Sequence, residues 1–188
     1  IEEVQKGLDN TKAVVEYYLG DSTAYVTVIT SDRIETRKIA KDSTFRETLK
    51  SFQTSLRKPE RFDKSKDFLG SAHSLHQFLI APILDIIEAR DLTIVPSPEL
   101  FLVPFDVLLT KKVSTDSENN FSTLPYLFKE RTISYANSMT LLHNSLNTVS
   151  QKNNGRMLAL APEFGKPEIL QKKFDTVRSG LSPLRWTT

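Results

Sequence analysis

Residues 92–109, LTIVPSPELFLVPFDVLL, pack two apolar runs, the prolines Pro96, Pro98 and Pro104, and just two charged side chains, Glu99 and Asp106, into one stretch. Proline fixes φ and has no backbone N–H, so it ends a strand and is excluded from helix interiors. Chain this apolar must be buried, yet it is too interrupted to form one long element. LTIVP therefore reads as a short buried strand stopped by Pro96, SPE as a turn, and LFLVPFDVLL as a second apolar element directed back into the core. The stretch has no obvious catalytic side chain, so its residues read as architecture.

The flanking sequence supplies the elements that must cover it. KAVVEYYLG, TAYVTVIT and RIETRKIA, separated by DS and SD, predict a β-meander over residues 12–39. Both faces of TAYVTVIT are fairly apolar, which predicts a central strand. Asp42 or Ser43 can cap a helix to about Leu56, with Phe45, Leu49, Phe52 and Leu56 on one face. RKPERFDKSKD (57–67) reads as a loop. A second helix is expected from about Phe68 to Ala89, bent or divided at Pro82, with Phe68, Leu75, Leu79, Ile83, Ile86 and Ile87 as its apolar face.

Beyond Leu109, residues 111–123 are polar and predict a surface loop. RTISYA predicts a strand, and Asn137 or Ser138 a cap for a helix through about Leu146. QKNNG reads as a turn, RMLALAP as another short buried strand, and residues 167–178 as a short helix. Strand–helix–strand alternation in this half argues an α/β fold with a partly parallel sheet. Residues 1–150 and 151–188 are expected to form two parts, the second opening with RMLALAP.

Composition narrows the function classes. Hydrophobic residues make up 39% and charged residues 26%, ordinary for a globular chain. A formal net charge of +2 lacks the clustered excess a nucleic-acid footprint needs. No apolar run is long enough to span a bilayer, and the N-terminus lacks an apolar signal segment. The expectation is a cytoplasmic protein without membrane or nucleic-acid partners, and Ile1 suggests a piece of something longer. With no cysteine, the chain has no disulfide, thiolate metal site or thiol nucleophile of its own.

No residue set reads as a catalytic, cofactor or metal site. Gly20-Asp21-Ser22 lies between two meander strands, where a hairpin turn accounts for it, and no GxSxG elbow is present. His73 and His76 can share one helical face, but no third ligand or spacing motif accompanies them, so they read as packed or half-exposed residues. His143 reads as an interfacial residue of its helix. Glu2-Glu3 and Asp116 with Glu118 lie in solvated segments without the burial that splits the pKa values of a catalytic pair. Lys111-Lys112 and Lys172-Lys173 are solvated pairs, and the Gly-Lys of EFGKPE lacks phosphate-loop spacing.

Several segments together resemble the N-terminal portion of a CHAT domain, a family placed with the caspase-like cysteine peptidases and commonly found behind tetratricopeptide repeats. Ile94, Val95, Pro96, Leu100, Val103, Pro104, Phe105 and Leu108 match the family's L-x-I-V-P-D-x-x-L-x-x-L-P-F-E-A-L stretch. Ile133, Ser134, Tyr135, Ser138 and Leu142 match its I-S-Y-x-x-S-x-x-x-L stretch. Ser97 and Asp106 stand where the family often has Asp and Glu. The similarity runs over about residues 13–164. It implies an incomplete caspase-like mixed sheet, with RMLALAP as the first strand of the caspase-like core. It also implies catalysis by a His in a His-Gly turn and a Cys ending a later strand, both after RMLALAPEF. None of His73, His76 or His143 is followed by Gly, so no catalytic residue carries over. The expectation is a scaffold segment, inactive alone, of a cysteine endopeptidase. Its expected partners are the remainder of the CHAT domain, upstream tetratricopeptide-type repeats, and a protein substrate or regulator. The alternative is a non-catalytic interaction or signalling module of the same fold.

Overall fold

After a short helix over Glu2–Lys6, three consecutive strands follow: β1 (Lys12–Leu19), β2 (Thr23–Ile29) and β3 (Ile34–Ala40). They form the meander the sequence predicts. In the computed structural model, residues 2–57, 65–113 and 121–147 are described. They belong to the first of the two units into which the chain divides, residues 1–148. Expectations for 151–188, including the RMLALAP strand and the 167–178 helix, and for Asp116, Glu118, Lys172 and Lys173, lie outside the described residues.

The sheet gains β4 (Asp91–Val95) and β5 (Thr132–Tyr135) and runs in the order β3-β2-β1-β4-β5. The meander pairs are antiparallel; β1 with β4 and β4 with β5 are parallel. The fold is thus α/β with a mixed sheet. β1 is the middle strand. β2 lies inside the sheet, but one of its faces is buried only at Ile29, while Tyr25 on that face is exposed.

Helices cover both faces. α2 (Ser43–Arg57) buries Phe45, Leu49 and Phe52 at helical spacing, and α3 (Ser65–Leu79) buries Leu69, Ala72, Leu75 and Leu79. These join Ala13, Val15 and Tyr17 of β1, Val26 and Val28 of β2, and Leu92 and Ile94 of β4 in one cluster. Each such aliphatic or aromatic side chain contributes about 1.5–3 kcal/mol on burial. On the opposite face, Val14, Ile29 and Val95 meet Val4 of α1 (Glu2–Lys6) and half-buried Met139 and Leu142 of α4 (Met139–Asn147). Asp42 caps α2, its Oδ1 accepting from the Phe45 amide at 2.9 Å. Ser138 caps α4, its Oγ accepting from the Leu141 amide at 3.2 Å.

The second helix departs from expectation. It begins at Ser65 and ends at Leu79, not Ala89; a 3₁₀ turn, Ala81–Ile83, and irregular chain follow. Pro82 has no N–H to continue the helical ladder and its ring collides with the preceding turn. Ile83, Ile86 and Ile87 nonetheless stay buried, which is why the apolar period continues past the helix.

The proline-punctuated stretch forms the first part of the link from β4 to β5. Parallel neighbours need a crossover, usually an α-helix. Here the described part of the crossover is made of 3₁₀ turns, among them Pro98–Leu100, Phe105–Val107 and Leu127–Lys129. Leu100, Val103, Phe105, Leu108 and Leu109 enter the main core from these turns. Leu109 also bridges to Tyr126. Among the described residues, no helix is long and apolar enough to cross a membrane.

Candidate functional site

In α/β sheets, sites gather outside the carboxyl ends of parallel strands. At those ends of β1, β4 and β5 the chain places the 20–22 turn, the 96–106 segment and Tyr135. Gly20-Asp21-Ser22 is a turn, as its residue types predict, with the Gly20 amide donating to the Thr23 carbonyl at 2.9 Å. A Cβ at Gly20 would lie 3.2 Å from that carbonyl oxygen, so the close approach favours glycine. Cations hold the turn from outside: Arg46 donates to the Asp21 carbonyl at 2.6 Å, and Lys41 Nζ donates to the Gly20 carbonyl at 3.0 Å.

Lys41 is the buried cation of this region, only 6% exposed. Its ammonium also meets Glu99 Oε1 at 2.8 Å. A buried ammonium must be paired, and the pair here ties the end of β3 to the turn after β4. The sequence carried no signal for it, because the partners are 58 residues apart.

A second polar node lies beside β5. The Tyr135 hydroxyl donates to Asp106 Oδ2 at 2.7 Å and accepts from the Phe105 amide at 2.8 Å. Burial, and then the Asp106 hydrogen bond, push that hydroxyl above the ordinary tyrosine range. Phe101, Leu102, Val103, Pro104, Asp106 and Tyr135 line an open groove of about 360 Å³. Phe101 and Leu102 at its rim are more than half exposed, at 55% and 61%. At the other end of the sheet, Asn10, Lys12, Asp32, Arg33 and Glu88 border a polar hollow of about 270 Å³.

The histidines are not brought to the carboxyl-end groove. His73 and His76 do share a face of α3, with ring centroids 6.5 Å apart. His73 Nδ1 lies 3.2 Å from the Leu109 carbonyl oxygen, and buried His76 faces the Gln77 amide nitrogen at 3.5 Å. His143 Nε2 meets Glu3 Oε2 at 2.8 Å, joining α4 to α1 in the interfacial role its helix position suggests. None of these partners is a hydroxyl nucleophile. Among the described residues, no three His, Asp or Glu side chains gather to hold a metal ion. The arrangement can bind and position; it presents no nucleophile–base pair there, and the chain has no cysteine.

A family model described as CHAT domain matches residues 69–180. The match begins in α3 and takes in the proline-punctuated crossover, β5 and α4. No curated protein matches the chain.

Proposed function

The chain belongs to the CHAT domain family, and from that premise we propose that it is the N-terminal scaffold segment of a caspase-like cysteine peptidase, inactive by itself. The observation that carries this reading is the CHAT match over a mixed sheet in a chain without cysteine. Thiol hydrolysis needs a thiolate, a histidine to move the proton, and amide donors for the oxyanion. The described strand ends supply instead a clamped turn, a buried ion pair and an apolar groove. The catalytic His and Cys would come from sequence beyond this chain. Its partners in this reading are the remainder of the domain, tetratricopeptide-type repeats, and a protein substrate or regulator. Incubating the purified chain with a diverse peptide library should give no cleavage above background, and sustained cleavage would sink the proposal.

The exposed Phe101–Leu102 rim favours a second reading, a non-catalytic interaction module of the same fold. Coding sequence following Thr188 separates the two. A strand leading into His-Gly and a later strand ending in Cys support the peptidase; their absence supports the module.

A further inference from the structure

The two histidines of α3 lie where the helix meets the second half of the β4–β5 crossover. The Leu109 amide donates to the Ala72 carbonyl at 3.4 Å, and His73 Nδ1 reaches the Leu109 carbonyl at 3.2 Å. Leu109 is thus attached to α3 through both of its backbone polar groups. The same strip is stitched to the next segment: the Thr110 amide donates to the Pro125 carbonyl at 2.9 Å, and the Leu127 amide to the Leu108 carbonyl at 2.8 Å. Thr110 Oγ1 adds a bond to Glu130 Oε1 at 2.9 Å. One turn along α3, the His76 ring lies nearly parallel to that of His73, at 8°, and is 3% exposed.

We propose that His76, with His73 beside it, is an acid-sensitive latch: at neutral pH it lets residues 108–110 and 124–130 lie closed against α3, and protonation opens that strip locally. The neutral ring suits the closed site. Its Nδ1 can accept from the Gln77 amide nitrogen, whereas a proton there would face a donor. Two groups act on His76 from its surroundings. His73, on its own helix, opposes a second positive charge; Glu130, at the end of the crossover, favours it. Burial is the largest influence, and with His73 it outweighs Glu130 and holds the imidazole below its ordinary range. The open strip exposes the ring, which then takes up a proton at the ordinary histidine value of about 6.5. A lowered pKa in the closed form means that closure is fully favoured above the open-state value. It is lost progressively as pH falls through that value toward the closed-state one. The strip lies outside the strand ladders, its backbone held by these few hydrogen bonds while Leu108, Leu109, Leu124 and Leu127 pack in the core, so protonation acts on it before the ladders.

Amide hydrogen exchange on the full 188-residue chain at pH 7.5 and 5.5 tests this, with rates corrected for intrinsic exchange. Opening at Leu109, Thr110 and Leu127 should rise by up to about tenfold at pH 5.5, the ceiling for one histidine with an open-state pKa near 6.5. Amides of β1 and β2 should change much less. His76→Gln should remove the pH response of the strip. If that variant does not fold, Glu130→Gln decides. It keeps an oxygen that can accept from Thr110 but loses the negative charge, so it should enlarge the ratio between the two pH values because the closed form then resists protonation more strongly. The proposal is overturned if the strip responds no more than β1 and β2, if His76→Gln keeps the response, or if Glu130→Gln leaves the ratio equal or smaller.

Discussion

Tyr17 stands near the carboxyl end of β1 with its ring 5.4 Å from that of Phe105, and its hydroxyl donates to the Leu79 carbonyl at the end of α3 at 2.8 Å. That bond satisfies a helix-end carbonyl which has no intrahelical partner. Tyr17→Phe should cost about 1–2 kcal/mol in urea denaturation, because it leaves the buried carbonyl unpaired. Burial also raises the Tyr17 hydroxyl's pKa far above its ordinary 10. The unfolded chain releases that proton first, so stability should be unaffected below about pH 10 and fall above it by up to about 1.4 kcal/mol per pH unit from this group. Alkaline denaturation curves check the sign: Tyr17→Phe should flatten the decline. At this scale the sequence exposed positions but not partners. Helical spacing put His73 and His76 on one face, yet nothing in it pointed to Leu109. Likewise Tyr135 and Asp106 lie 29 residues apart and meet only because the crossover returns to β5.

Elements were read more fully, because their signals are local. Alternation and turn residues located β1, β2 and β3, and the apolar spacing of Phe45, Leu49 and Phe52 located α2. The choice between Asp42 and Ser43 as cap needed the geometry. Asp42→Ala should cost about 1 kcal/mol by urea denaturation, with Ser43→Ala costing less. Where α2 meets α3, Phe52 and Phe68 stack at 5.8 Å, and Phe52 is fully buried. Phe52→Ala should cost about 3–5 kcal/mol, measured by the same method. Periodicity alone carries the second helix on to Ala89, because it reports burial rather than backbone hydrogen bonding. Ile83, Ile86 and Ile87 keep the period while Pro82 breaks the ladder.

Across the whole molecule, the Lys41–Glu99 pair joins the meander half of the sheet to the parallel half. Glu99→Gln should destabilise by about 1–3 kcal/mol, since it leaves the Lys41 ammonium buried without its carboxylate. Lys41→Met combined with Glu99→Gln should cost less than Glu99→Gln alone. A double-mutant cycle by urea denaturation measures this, and a double variant less stable than Glu99→Gln would contradict it. Sheet order belongs to this scale too. β1 pairs in parallel with β4 at a separation of 79 residues, Lys12 opposite Asp91, so no local pattern encodes it.

By itself the sequence determined the meander strands, the strands at LTIV and TISY, the α2 and α4 helices, the absence of a thiol, and a pattern of prolines and apolar residues specific enough to mark the CHAT family. Those properties follow from backbone chemistry and side-chain type over a few consecutive residues. The tertiary structure alone decided that LTIVPSPELFLVPFDVLL leads from β4 into a crossover wound in 3₁₀ turns, that Lys41 is buried on Glu99, and that His73 meets Leu109. Each of these depends on which distant segments share the core, and that is set by the summed burial of the whole chain.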